Sequence, residues 1–212
     1  MKKIIIIIMI LIAFISIYWY IQKPNEEVIS ISDEVYLVIG DSVFNENRPV
    51  IKEDKAIYIS FDIIKEKLDQ ALYYDFKEDM VIFTNKDKVI RYRIDDNKAT
   101  VNNKDFYVNT PIKIIDEVPY IPDEILINNY DMDINYIEDT NAVIADKRDS
   151  NYVGGEIILE GADIRINHDR KSPIVLKDIP VETPVLVFEE LNDWYKVRTY
   201  DGIVGYIEKK YI

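Results

Sequence analysis

The sequence predicts an α+β protein in three parts: an N-terminal transmembrane helix, a pseudo-duplicated α+β domain and a C-terminal all-β barrel. Three observations support this prediction. An apolar run of 18 residues, Ile4 to Ile21, contains one plainly polar side chain. A sequence pattern recurs at a constant offset of 62 residues. Short β-strand patterns crowd the part of the chain that follows Gly154-Gly155.

Residues 1–23 are predicted to form an uncleaved transmembrane anchor. As a helix, the apolar run would be roughly 27 Å long, close to the hydrocarbon thickness of a bilayer, about 30 Å. Lys2 and Lys3 are expected on the cytoplasmic side, and the aromatic group at residues 18–20 at the opposite interface. The alternative is a cleaved signal peptide, but small residues are missing where cleavage would occur. We therefore expect a single-pass protein of the cell membrane with its C-terminal domains extracellular.

The repeat covers residues 48–82 and 110–144, which align over 35 positions without a gap. Each copy contains a short strand, a helix start and two further strands. Ser60 is predicted to be the N-cap of the first helix, and Pro122 to occupy the first helical position of the second. Two copies of one pattern predict a compact α+β domain whose halves share a core.

This domain, residues 35–147, resembles the bacterial copper amine oxidase-like N-terminal domain, also called a stalk domain. The matching motifs are Pro49, Tyr58-Ile59-Ser60 and Leu72-Tyr73-Tyr74-Asp75, then Pro111, Tyr120-Ile121-Pro122 and Ile134-Asn135-Tyr136. The family name does not imply copper here, because a copper site needs several imidazoles and the chain has one histidine, His168, outside this domain. We expect no copper and no other cofactor.

Residues 157–212 resemble the bacterial SH3 family, which implies an SH3-like barrel. The matching elements are Asp163-Ile164-Arg165, Val185-Leu186-Val187, the run from Asn192 to Arg198, Asp201-Gly202 and Gly205-Tyr206-Ile207. Residues 24–34 are predicted to be a juxtamembrane linker, and the polar residues 148–156 a second linker. Such SH3 modules generally bind rather than catalyse, and in bacteria they often recognise cell-wall peptides.

The candidate ligand-binding residues are Trp194, Asn167, Arg165 and Tyr206. By strand alternation Trp194 lies on the same face as Lys196, and a tryptophan on a polar face is a candidate ligand platform. Alternatively, its ring packs beneath the loop that contains Asn167. Tyr206 has a second interpretation as a residue of the core or of its rim.

Composition excludes several function classes. The chain holds 39 acidic and 26 basic residues, a net charge of −13, and this acidity disfavours nucleic acid as a partner. It has no cysteine, which excludes disulfide and thiolate chemistry. The Asp131-x-Asp133-x-Asn135 sequence begins like a calcium loop but lacks the later glycine and glutamate. Because no phosphate loop, nucleophile motif or metal cluster is present either, we expect no enzyme in these residues.

The leading hypothesis is a membrane-anchored, extracellular, non-catalytic module whose SH3-like domain binds peptidoglycan. The alternative comes from layouts of this kind that continue into a glycoside hydrolase family 18 domain. In that case this chain, which ends at Ile212, would be the targeting region of a cell-wall or chitin-active enzyme. A third hypothesis is a module that binds a protein instead of a glycan-linked peptide.

Overall fold

Four β-sheets and three α-helices make up the described backbone of this computed structural model, which covers residues 2–53 and 56–212. Side chains are described across the same range except at residues 2–8, 21 and 22. The chain divides into two units. The first contains the residues up to Ser30, Gly154–Val197 and Gly205–Ile212, and the second contains Ile31–Val153 and Arg198–Val204.

The elements follow one another along the chain as a helix, a long series of strands with two short helices, and a final series of strands. They are α1 (Lys2–Gln22), β1 (Tyr36–Ile39), β2 (Ser42–Phe44), β3 (Val50–Glu53), β4 (Ala56–Ser60), α2 (Phe61–Lys67), β5 (Tyr73–Asp75), β6 (Met80–Thr84), β7 (Val89–Arg93), β8 (Lys98–Val101), β9 (Lys104–Tyr107), β10 (Lys113–Ile115) and β11 (Val118–Pro122). They continue as α3 (Asp123–Tyr130), β12 (Met132–Ile137), β13 (Ala142–Lys147), β14 (Val153–Glu156), β15 (Ala162–Arg165), β16 (Ile174–Ile179), β17 (Pro184–Leu191), β18 (Trp194–Thr199), β19 (Val204–Glu208) and a 3₁₀ turn, Lys209–Tyr211.

The repeat forms the centre of the second unit. A four-stranded sheet has the order β10-β11-β4-β3, so the first copy supplies one half and the second copy the other. Its two middle strands are antiparallel and place Ile59 directly opposite Ile121, residues that differ by the repeat offset of 62. Both side chains are fully buried. This register relates the two copies by a local two-fold axis through the Ile59–Ile121 pair.

The two short helices follow the two middle strands at equivalent positions. Ser60 and Pro122 are the N-caps of α2 and α3, so Pro122 lies one position earlier than predicted, and neither makes a side-chain capping bond. The helices bury Ile64, Ile125 and Leu126 against the sheet. The buried face of α2 contains Phe61 and Ile64, which are about one turn apart, and that of α3 contains the adjacent residues Ile125 and Leu126.

Two further sheets complete the second unit. One has the order β12-β13-β1-β2, with β1 parallel to β13. The other is an antiparallel series from β5 to β9 in chain order. The short β5–β6 hairpin and the longer β12–β13 hairpin occupy equivalent places in the repeat, and the extra strands pair with them.

The first unit contains a six-stranded sheet with the order β14-β17-β18-β19-β15-β16. Its core is small and includes Ile157, Ile164 and Ile207, all fully buried. β19 approaches β15 so closely at Gly205 that a Cβ atom there would overlap the carbonyl oxygen of Arg165. Glycine is therefore required at this position by space.

Residues of the predicted juxtamembrane linker contact this sheet. The backbone N–H of Ile29 donates to the carbonyl of Ile174 at 2.9 Å, and the N–H of Ile174 donates to Glu27 at 2.8 Å. A parallel bridge joins Val28 to Ile174. This N-terminal segment, residues 25–29, thus runs along the edge strand β16 of the first unit.

The predicted α+β class with an N-terminal transmembrane helix is wrong. Of the fully described residues, 46% lie in strands and 15% in helices, so the protein is mostly β. α2 and α3 are only one or two turns long and do not make a helical layer. Within the described part of the chain, no helix is long and apolar enough to cross a membrane. The side chains of Lys2 and Lys3, which set the predicted orientation, lie outside the described residues.

Candidate functional site

A cleft of about 380 Å³ opens on the surface of the first unit. Trp194 at the start of β18 and Tyr211 in the 3₁₀ turn give it two aromatic walls. Trp194 is only 9% exposed, so its indole is a wall of the cleft and not a projecting platform. The charged residues that line the cleft are Arg165, Arg170, Lys177, Lys210, Glu26, Asp163 and Glu208. A lining with both signs of charge suits a ligand that itself carries both.

Arg165 links two segments of the cleft by hydrogen bonds. The residue is 6% exposed, and its guanidinium donates from Nη1 to the carbonyls of Asn25 at 2.7 Å and Ser172 at 2.8 Å. The first bond fixes the N-terminal segment, and the second closes the loop between β15 and β16. Hydrogen bonds from a charged donor are stronger than neutral ones. Arg165 is therefore a positioning residue whose Nη1 donors are already used.

Glu208 organises two of the cations. Arg170 donates to both of its oxygens, from Nε at 3.2 Å and from Nη2 at 2.6 Å, and Lys210 Nζ lies 3.4 Å away. Burial acts to raise the pKa of Glu208, but the Arg170 hydrogen bonds and the Lys210 charge outweigh it, and the pKa is lowered. The Glu208 carboxylate is thus ionised at neutral pH and holds Arg170 and Lys210 on the same side of the cleft.

Lys177 is the cation that remains available to a ligand. It is exposed on β16 and has no ion pair with any residue that the structure describes. The nearby Asp163 accepts the backbone N–H of Asp178 at 3.0 Å and lies 3.6 Å from Arg165. Glu26, on the other side, is largely exposed and 4.0 Å from Lys23. The cleft can accordingly pair a ligand carboxylate with Lys177 and a ligand ammonium with Glu26.

The structure brings together two of the four predicted ligand-binding residues. Trp194 and Arg165 line the cleft, whereas Asn167 and Tyr206 do not. The backbone N–H of Asn167 donates to Ser172 Oγ at 3.0 Å and shapes the loop. Tyr206 is half-buried, lies opposite Arg165 in the strand register, and meets His168 edge to face at 5.3 Å. Ligand binding by these residues stays a prediction.

Sequence reasoning missed most of the charged lining. Arg170 lies in a loop with no recognisable motif, Lys177 lies on β16, and Glu26 lies in a segment interpreted as a linker. The sequence did contain one signal: the charged run Glu208-Lys209-Lys210 directly follows the Gly205-Tyr206-Ile207 motif. Such a run indicates that the strand ends at a charged surface. Nothing in the local sequence indicates that Glu26 approaches the sheet.

The calcium-loop-like sequence Asp131-x-Asp133-x-Asn135 does not form a metal site in this structure. Among the residues that the structure describes, no group of three or more histidine, cysteine or acidic side chains could hold a metal ion. Asp131 is the left-handed C-cap of α3, while Asp133 and Asn135 already belong to β12. A strand cannot wrap around an ion as a calcium loop does, so the calcium motif is accidental.

Comparisons with known families now give independent evidence on both units. The chain matches the copper amine oxidase N-terminal domain over residues 37–145. It matches the bacterial SH3 domain over residues 161–212. The predicted order of these two domains is confirmed, but the predicted likeness to glycoside hydrolase family 18 proteins has no support. No curated protein and no solved structure matches the chain. Domains of both kinds are generally non-catalytic binding or stalk modules.

Proposed function

We propose that this chain, which belongs to the copper amine oxidase N-terminal domain family, is a non-catalytic module that binds cell-wall peptides outside the cytoplasm. The binding site is the cleft of the first unit, which is lined by residues of the region that matches the bacterial SH3 domain and by Pro24 and Glu26 of the N-terminal segment. The repeated domain serves as a spacer. The single observation that carries the proposal is the mixed-charge, aromatic-walled lining of the cleft.

The chemistry of peptidoglycan peptides fits this lining. Short wall peptides present free carboxylates, an ammonium or amide group and small methyl side chains. Lys177, which forms no ion pair with the described residues, offers a cation for a carboxylate, and Glu26 offers an anion for an ammonium group. Trp194 and Tyr211 supply flat apolar surfaces for the methyl groups. A compact peptide of two or three residues matches the cleft volume of about 380 Å³.

The proposal is tested by co-sedimentation of the purified full chain with insoluble peptidoglycan. We expect the wild type to sediment with the wall and to be released by soluble stem peptides. Lys177→Glu should weaken binding about tenfold, because it replaces an attraction by a repulsion at the ligand carboxylate. Lys104→Glu makes the same change of charge on β9 in the second unit and should leave binding unchanged.

Two results would contradict the proposal. One is wild-type protein that stays in the supernatant at protein and wall concentrations in the millimolar range. The other is an equal loss of binding in Lys177→Glu and Lys104→Glu, which would indicate a general effect of net charge. Thermal unfolding of both variants should match that of the wild type, because both lysines are exposed.

A further inference from the structure

A second cavity lies in the second unit, against the first copy of the repeat. Its volume is about 450 Å³. The polar lining residues are Asn45, Glu46, Asn47, Ser60 and Asp62, and the apolar ones are Val43, Phe44, Ile63, Val118 and Tyr120. The lining thus contains two carboxylates and no cation. Its chemistry differs from that of the mixed-charge cleft, and no part of the proposed cell-wall function uses it.

The second copy of the repeat shows which hydrogen bonds a carboxylate accepts at the position equivalent to Asp62. Position 62 of the first copy corresponds to Glu124 of the second. Glu124 accepts the backbone N–H groups of Asn109 at 3.1 Å and Thr110 at 3.2 Å, and the Asn109 side-chain amide at 3.0 Å. This carboxylate therefore receives consecutive peptide N–H donors from its own chain.

The first copy lacks these donors. The equivalent loop residues are Asn47 and Arg48, which both adopt left-handed backbone angles, with φ of 57° and 51°. The loop is held elsewhere, since the Tyr120 hydroxyl donates to the Arg48 carbonyl at 2.7 Å and Arg48 pairs with Asp116 at 2.9 Å. Asp62 consequently faces the cavity and accepts no hydrogen bond from the described residues.

Ser60 is a second, independent polar group of the cavity. Its side chain lines the cavity although the residue is only 7% exposed, and it makes no capping bond to α2. Within the described part of the chain its hydroxyl has no hydrogen-bond partner. Because this oxygen is not among the fully buried unpaired polar atoms of the described residues, it is open to the cavity, where a ligand can replace solvent. The hydroxyl is available to a ligand N–H or carbonyl group.

From these observations we infer that the cavity binds a basic, peptide-like ligand. Asp62 accepts N–H donors of the ligand backbone in the way that Glu124 accepts those of Asn109 and Thr110. Ser60 completes the polar contacts at the buried end. Glu46 pairs with a ligand ammonium group, and Phe44 covers the aliphatic stem that carries it. The lining residues include no cation, and the nearby Lys67, whose Nζ lies 5.5 Å from the centre of the Phe44 ring, is outside the lining. The cavity therefore favours a cationic ligand, whereas the cleft suits a ligand that carries both charges.

The test is a titration of the ¹⁵N-labelled full chain with N-acetyl-lysine amide, followed by amide chemical shifts. This probe has backbone N–H donors, an aliphatic stem and an ammonium group. We expect saturable shifts confined to the cavity lining, namely Val43–Asn47, Ser60 to Ile63, and the neighbourhood of Val118 and Tyr120. N-acetyl-glutamate amide, which carries the opposite charge, should give none there.

Substitutions test whether Glu46 and Asp62 bind the probe. A double change, Glu46→Gln with Asp62→Asn, should weaken binding at least about tenfold, because two charge-assisted contacts are lost. Both residues are exposed, so the fold should be retained. Glu78→Gln, an exposed position elsewhere in the second unit, is the matched control and should bind as the wild type does.

The inference is overturned if the shifts appear only at the cleft, if the glutamate probe binds at the cavity equally well, or if the double variant keeps full affinity. Lys177→Glu should not affect this titration. A failure of cell-wall binding would therefore not contradict this inference. Likewise, a failure of the lysine probe to bind at the cavity would not contradict the proposed cell-wall function.

Discussion

Among the described residues, a cluster of 21 buried apolar side chains runs through both copies of the repeat in the second unit, whereas the cluster at the centre of the first unit contains seven. The larger core is centred on equivalent residues, Ile59 and Ile121, that face each other across the local two-fold axis. The smaller core depends in addition on a close strand approach at Gly205 and on hydrogen bonds from Arg165. Small domains bury too little apolar surface to rely on packing alone.

This difference also explains where ligands can bind. In the first unit charged groups such as Arg165 and Glu208 are needed to hold loops and edges, so a mixed-charge cleft is a by-product of how that unit is stabilised. In the second unit the apolar core is larger, although a buried Arg198–Asp146 ion pair also contributes, and a polar cavity lies where the two copies of the repeat diverge. The following predictions test this comparison, from the largest expected effect to the smallest.

Ile121→Ala should lower the free energy of unfolding of the second unit by about 4 kcal/mol, because it leaves a cavity at the centre of the shared core. The measurement is urea unfolding followed by far-UV circular dichroism. Ile114→Ala, at a 39% exposed position on β10, should cost less than about 1 kcal/mol. Equal losses in the two variants would show that the core is not centred on the two-fold axis.

Gly205→Ala should destabilise the first unit by about 2–3 kcal/mol. The added methyl group would lie 2.5 Å from Cγ2 of Ile164 and overlap the Arg165 carbonyl, so β15 and β19 must separate. Trp194 fluorescence reports this unit during urea unfolding. Gly154→Ala, where a Cβ meets nothing within 4 Å, serves as the control. Wild-type stability in Gly205→Ala would contradict the close approach of the two strands.

The smallest effect concerns acid stability of the first unit. The pKa of Glu208 is lowered from its usual 4.5, with burial opposing the shift and Arg170 and Lys210 producing it. The carboxylate therefore contributes stability above about pH 4.5, and this contribution is lost as the pH falls through the lower folded-state pKa. The amount should be below about 1 kcal/mol, because the group is partly exposed.

Glu208→Gln should accordingly remove a part of the pH dependence of unfolding between pH 3 and 5, as followed by Trp194 fluorescence. Glu160→Gln, at an exposed position of the same unit, is the control. If both variants titrate like the wild type, the Arg170–Glu208 pair has no energetic role in the stability of the first unit.

Several features could be predicted because they depend on local patterns. The repeat is visible as two copies of one order of residues, and both helices begin where the strand pattern ends, after Ser60 and Pro122. The two families were identified from short motifs such as Asp201-Gly202 and Gly205-Tyr206, and the matches confirm them. Even so, the class assignment was wrong, since the helices of the repeat proved short, strands predominate, and the predicted transmembrane helix is not supported.

The sequence by itself determined the duplication, the order of the two domains and the chemistry that is excluded, because repeats, motifs and composition are properties of the chain read in order. The tertiary structure alone decided the mostly β architecture, the approach of Glu26 and Lys177 to one cleft, and the difference between Asp62 and Glu124. These features depend on contacts between residues far apart in the chain. Such contacts form only when apolar burial and hydrogen bonding bring the strands together, and no local pattern encodes them.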